Sequence, residues 1–206
     1  MTDFVAAVMA RLPPTGAMRQ RPVRVIRYDE VVAGGRSHFL RRATIDMDAL
    51  AADLSVSRST LYRVVEGRDR LLGDVLWSLG EPVLADARRV VTRRDVDGIL
   101  EISRRFYKVM IEAAPFRRFV AAEAQTAVRV LFTPAGGVHE RYVRAQRDIL
   151  FEATQQGAVA FTSDLDSMAY LYVRIYESML YADVLIGRSP DVEPAERAAR
   201  ALLLAG

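Results

Sequence analysis

The sequence predicts an all-α protein, and three observations predict it. Apolar residues recur at spacings of three and four through most of its 206 residues. No stretch alternates apolar and polar residues as a half-buried strand would. The breaks between apolar stretches carry helix-start and helix-stop residues: Asp46, Ser57, Gly67, Pro115 and the run Thr133-Pro134-Ala135-Gly136-Gly137. A hydrophobic share of 51% beside 27% charged residues fits a soluble globular protein with a sizeable core. The chain has no cysteine, so disulfides and thiolate metal sites are excluded. Its two histidines, His38 and His139, show no zinc-ligand spacing.

Taken in order, residues 1–27 read as an N-terminal extension. Its opening, MTDFVAAVMARLPP, has an early acid and an arginine inside the apolar run, which argues against a signal peptide. A basic arm follows, with Arg19, Arg21, Arg24 and Arg27 and no acid before Asp29. The arm reads as a surface extension, with minor-groove or phosphate contact as the alternative. No segment reaches the roughly 20 apolar residues of a membrane span, so no membrane partner is expected and the cytoplasm is the default location.

Nine helices are expected. Helix one covers 29–42, with Val31, Val32, Phe39 and Leu40 on its buried face. Gly34-Gly35 weakens it by about 1 kcal/mol each relative to alanine, which close helix packing would explain. Asp46 is a good N-cap for helix two, which buries Met47, Leu50 and Leu54. Ser57 caps helix three, its hydroxyl placed to accept from the Thr60 amide, and Gly67 ends it. Asp69 suits the start of helix four, whose apolar face is Leu71, Leu72, Val75, Leu76 and Leu79. Pro82 is expected to kink or end that helix near Gly80-Glu81. Helices five to nine follow at about 96–113, 115–131, 138–156, 165–186 and 194–204.

The segment 46–72, DMDALAADLSVSRSTLYRVVEGRDRLL, carries most of the functional information. It reads as two short helices joined by a tight turn, then the start of a longer one. In the second short helix Leu61, Val64 and Val65 can face inward. Ser57, Arg58, Ser59, Thr60, Tyr62 and Arg63 remain for the outside. A small exposed helix rich in hydroxyls and arginine has the size and chemistry to enter a DNA major groove. Charge agrees: residues 1–70 hold 12 arginines against 8 acids, while 71–206 hold 17 basic residues against 18 acids.

Leu50-Ala51, Val56-Ser57, Thr60-Leu61-Tyr62, Arg68-Asp69 and Leu71-Leu72, in this order and spacing, resemble the TetR family of one-component transcriptional regulators. The resemblance covers residues 29–76 at motif level. It implies a helix-turn-helix DNA-binding domain at 28–76, a ligand-binding and dimerisation domain at 77–206, and a homodimer on a double-stranded DNA operator. Carried over position by position, it makes Arg58, Ser59, Thr60, Tyr62 and Arg63 operator-facing and puts Ser57 near a phosphate. It gives Arg68 a backbone contact and Asp46 and Met47 phosphate contacts at the start of helix two. Val64 stands where the family often has histidine or tyrosine, Val65 where phenylalanine is commoner, and Ser55 where the turn glycine usually sits. These departures resemble a divergent branch such as the QsdR-type regulators, which implies a lactone as the small-molecule effector.

Predicted helix eight is apolar around most of its circumference, and such a helix must bury more than one face. Predicted helix nine sets Ala195, Ala198, Ala199 and Leu202 at helical spacing. Homodimerisation through these two helices is therefore expected, against an alternative in which both pack only within their own chain. The resemblance puts the effector pocket among helices four to eight. The candidate apolar residues are Trp77, Phe106, Met110, Phe116, Phe119, Phe151, Tyr170 and Tyr176, with Glu123, Arg147 and Arg174 as polar contacts. For each aromatic, ordinary core packing is the competing reading. The mixture suits a mainly hydrophobic ligand. A ligand that fits best when the two reading heads are wrongly spaced must weaken operator binding; the resemblance implies a repressor released in this way, with an activator as the alternative. A ligand-independent helical DNA binder is the alternative. An all-α enzyme is the remote one, since the chain offers no cysteine nucleophile, glycine-rich phosphate loop or metal-ligand cluster. No cofactor is expected.

Overall fold

The computed structural model describes residues 26–205. Most of the N-terminal extension, with Arg19, Arg21 and Arg24 of the basic arm, lies outside the described residues. Those described form eleven α-helices and no strand: α1 Tyr28–Arg42, α2 Met47–Asp53, α3 Arg58–Val64, α4 Arg68–Val90, α5 Val96–Glu112, α6 Ala114–Ala122, α7 Ala124–Phe132, α8 Val138–Gln155, α9 Leu165–Leu180, α10 Ala182–Ile186 and α11 Glu193–Ala205. No helix among them is long and apolar enough to cross a membrane.

Packing divides the chain into two compact units. The first holds the described residues up to Glu81 together with Ala113–Val138; the second holds Pro82–Glu112 and the residues from His139 onward. The boundary thus falls inside α4, and residues 113–138, far beyond the helix-turn-helix segment in sequence, pack with it.

In the first unit α1 packs against α2, α3 and α6. Val31, Phe39, Ile45, Leu50, Leu61, Leu71, Leu72 and Val75 form its centre, each at most 1% exposed. Burying each such side chain contributes about 1.5–3 kcal/mol. Gly34 and Gly35 explain themselves here: a Cβ would stand 2.6 Å from Leu54 Cδ2 at the first and 2.7 Å from Val75 Cγ2 at the second. Their weak helix propensity is offset by close approach of α2 and α4. A Cβ on Gly73 would likewise fall on the Gly136 carbonyl, so the loop before α8 lies directly on α4.

In the second unit α11 packs on α9 and α5. Ala195, Ala199 and Leu203 form the buried stripe of α11. The small side chains let it lie close to its neighbours.

Two expectations about elements need correction, and a third is narrowed. Pro82 does not end α4, which continues to Val90. Val83, Leu84 and Ala87 beyond it are buried, and their burial offsets the backbone hydrogen bond that proline removes. Predicted helix six is two helices, α6 and α7, broken at Glu123 (φ −125°, ψ 49°). Predicted helix eight is also two, α9 and α10, broken at Tyr181 (φ −105°, ψ 20°).

Candidate nucleic-acid interface

The turn between α2 and α3 begins at Ser55, whose φ of 54° lies in the left-handed region that glycine adopts more easily. Ser57 then caps α3: its Oγ accepts from the Thr60 amide at 3.1 Å and lies 2.9 Å from Ser59 Oγ and 2.8 Å from Thr60 Oγ1. Leu61 and Val65 are buried, and this rotates the other side of the helix outward. Ser57, Arg58, Ser59, Tyr62 and Arg63 are exposed, and Thr60 is half-buried. The groove-facing set expected from the sequence thus shares one accessible surface.

Within that surface the side chains support each other. The Arg58 guanidinium lies 5.4 Å from the centre of the Tyr62 ring and donates to both Asp48 carboxylate oxygens, at 3.0 and 2.7 Å. Arg63 donates to Thr60 Oγ1 at 3.3 Å. The result is a patch of hydroxyls, two arginines and one tyrosine on a helix seven residues long. Hydroxyl and guanidinium groups can reach phosphates and base edges, and the short helix fits the groove width.

The side chains of three further expected DNA contacts have partners within the protein. Met47 is 5% exposed and its side chain belongs to the core. Asp46 is exposed, but its carboxylate faces its own helix and accepts from the amides of Asp48 and Ala49 at 2.9 and 3.0 Å. The Ala49 and Asp48 amides hold its carboxyl below the usual range. Arg68 is turned inward: it donates to the Ile45 carbonyl at 2.7 Å, to Thr44 Oγ1 at 3.0 Å and to the Glu123 carboxylate at 2.9 and 2.7 Å. A guanidinium so engaged is part of a clamp.

Glu123 completes that clamp by also accepting from Thr44 Oγ1. Burial pushes its carboxyl up, but Thr44 and Arg68 together bring it below the usual range. The same helices are joined a second time by Arg129 and Asp69, where the guanidinium holds the carboxyl low. Phe119 is fully buried and meets Phe39 edge-on at 5.7 Å. Phe116, Phe119 and Glu123, expected as effector contacts, therefore pack in the first unit. Trp77, half-buried on α4, belongs to that unit as well.

The other effector candidates lie in the second unit and scatter. Phe106 and Tyr176 are buried and Met110 is half-buried. Phe151 and Tyr170 are 45% and 49% exposed. Arg147 pairs with Asp166 at 2.6 Å and Arg174 with Glu177 at 3.0 Å. What the second unit does gather is a buried polar cluster of which sequence reasoning named only Tyr176. Tyr107 stacks on Tyr176 with centroids 4.5 Å apart, Tyr142 lies 6.0 Å from Tyr107, and Tyr172 5.1 Å from Tyr176. Ser103 Oγ and Tyr172 Oη are 2.8 Å apart. Glu177 accepts from His139 Nδ1 at 2.9 Å. The signal was present as spacing: Ser103/Tyr107, Tyr172/Tyr176 and His139/Tyr142/Gln146 each put a polar group one turn from the next. Burial pushes the phenols of Tyr107, Tyr142 and Tyr172 well up and that of Tyr176 to about 12, so all four stay neutral.

The fold and this surface define a helix-turn-helix protein whose second helical unit buries a tyrosine cluster. The tetracyclin repressor-like C-terminal domain family matches residues 95–204. The chain belongs to the TetR family of transcriptional regulators. It is similar to the solved structure of QsdR, a TetR-family transcriptional repressor of R. erythropolis, at 26% identity and a TM-score of 0.80, covering 85% of this chain and 93% of that one. A second solved structure, the TetR-family regulator PfmR of Thermus thermophilus, matches at 17% identity and a TM-score of 0.38, covering 85% and 98%, which is too distant to carry an argument. No curated protein matches the sequence.

Proposed function

We propose that the chain is a homodimeric, ligand-responsive repressor that leaves a palindromic operator when a small, mainly hydrophobic molecule binds. The observation that carries this is the accessible side of α3, where Ser57, Arg58, Ser59, Tyr62 and Arg63 stand together. Residues 28–76 form the reading head, and residues 77–206 bind ligand and dimerise. The sign of regulation follows QsdR, which is a repressor.

Dimerisation is supported by what the second unit leaves uncovered. Tyr170 and Leu171 on α9, Leu185 and Ile186 on α10 and Leu204 on α11 are 48–69% exposed. Exposed apolar residues concentrated on neighbouring helices mark an association surface. Two heads about 34 Å apart, or a multiple of that, read a two-fold symmetric site. The protein acts by binding and not by catalysis, and it works in the cytoplasm.

The test is a gel shift against the DNA upstream of the protein's own coding sequence, with nonspecific competitor, repeated with lactones and fatty acyl compounds. Competitor-resistant binding released by one such compound is expected. Equal binding to competitor, unaffected by every compound, would mean a ligand-independent DNA binder instead.

A further inference from the structure

Asp48 stands on α2 and Arg58 on α3, and their side chains meet across the turn of the helix-turn-helix. Both carboxylate oxygens accept from one nitrogen, Arg58 Nη1, at 3.0 and 2.7 Å. The Nε–Nη2 edge of the guanidinium takes no part in this ion pair. The Tyr62 ring, one turn along α3, lies 5.4 Å from the guanidinium carbon. Both supports rest on fixed backbone. Leu50 and Ala51 anchor α2 in the core, Leu61 anchors α3, and the Asp48 amide donates to Asp46 Oδ1 at 2.9 Å.

The side chains of Arg58 and Asp48 are 59% and 67% exposed, and an ion pair so wet contributes little to stability. Its consequences are orientation and charge. A phosphate approaching Arg58 must also approach the carboxylate, which cancels much of the attraction. A base edge is uncharged and meets no such repulsion. Two N–H groups on one edge of a guanidinium match two neighbouring acceptors, and guanine N7 and O6 supply them in the major groove. Adenine sets an amino group beside its N7, thymine offers one acceptor, and cytosine presents a donor.

We infer that Asp48 is a positioning residue that presents the Nε–Nη2 edge of Arg58 to N7 and O6 of a guanine in each operator half-site. This rests on the DNA-reading role proposed above. It adds the base that is read and a residue outside the recognition helix that sets the reading.

The probe is a pool of randomised double-stranded DNA, selected on the full wild-type chain and on Arg58→Ala, Asp48→Asn and Asp48→Ala. The wild-type consensus duplex and its single-base variants are then titrated with all four proteins. The wild type should enrich a two-fold symmetric site with one guanine per half-site whose replacement by adenine in one half costs about tenfold in affinity. Arg58→Ala should lose the preference at that position and keep the preferences elsewhere. Both Asp48 variants should reduce the same preference to about threefold or less, again at that position alone. If Arg58→Ala weakens all sequences alike and keeps every preference, Arg58 is a phosphate contact and the guanine assignment is overturned. If the Asp48 variants keep the wild-type preference, or weaken all sequences equally as a structural role would, the positioning assignment is overturned. Either result, with a wild type that enriches a site, leaves the DNA-reading role standing. A wild type that enriches no sequence overturns that role together with this inference.

Discussion

Ser55 shows how one residue records a departure from its family. Its φ of 54° demands a conformation that a side chain tolerates poorly. Ser55→Val should destabilise the protein by about 1–2 kcal/mol, because a β-branched residue resists this region most, while Ser55→Gly is tolerated; thermal melts compare the two. Ser57→Ala should cost about 1 kcal/mol by uncapping α3. Asp46 gives a pH dependence. Its folded carboxyl titrates below the ordinary value of about 4, so its stabilisation is complete above that value and is lost as pH falls through the depressed one. Asp46→Ala should therefore lower the melting temperature at pH 7, and by less as pH falls through the depressed value. Both caps were legible in the sequence because capping is a local interaction spanning two or three residues. The burial of the Met47 side chain and the internal partners of Arg68 were not legible. The motif places both residues near the DNA, but the depth of the core and the position of Glu123, 55 residues away, decide where their side chains go.

At the scale of elements, the α6–α7 break is explained by the clamp it serves. Glu123 leaves helical geometry where its carboxylate meets Arg68 and Thr44. Nothing in the surrounding run of apolar and small residues announces that break, because its partners are distant in sequence. Pro82 does not end α4, because the burial of Val83, Leu84 and Ala87 on the following turns carries the helix on. The long-range pairs make a prediction. Arg68 and Glu123 are 28% and 26% exposed, so removing one partner strands the other in a partly dry site. Glu123→Ala should destabilise the protein by about 2 kcal/mol in denaturant titrations at pH 7. Glu123 and Asp69 both titrate low in the folded protein. The gain from each is present above the ordinary carboxylate range and vanishes as pH falls through the depressed values, so the Glu123→Ala difference should shrink in acid.

For the whole molecule, helix content and the helix-turn-helix were readable from periodicity and caps, whereas the division into units was not. Ala113–Val138 pack with the first unit although the second unit supplies the residues on either side of them. Contiguity in sequence is a poor guide when a segment leaves one unit and returns. The proposed assembly is tested by Leu171→Glu, which puts a charge on the exposed apolar face of α9. Sedimentation should show a wild-type dimer at micromolar concentration and a variant shifted toward monomer, with operator affinity falling in step because two heads no longer act together.

The most direct test of the central claim compares the wild type with Tyr62→Ala/Arg63→Ala by operator titration and thermal melting. Both side chains are exposed and contribute little to the core, so the account predicts an unchanged melting temperature and loss of specific operator binding. Wild-type operator affinity in the double variant would contradict it.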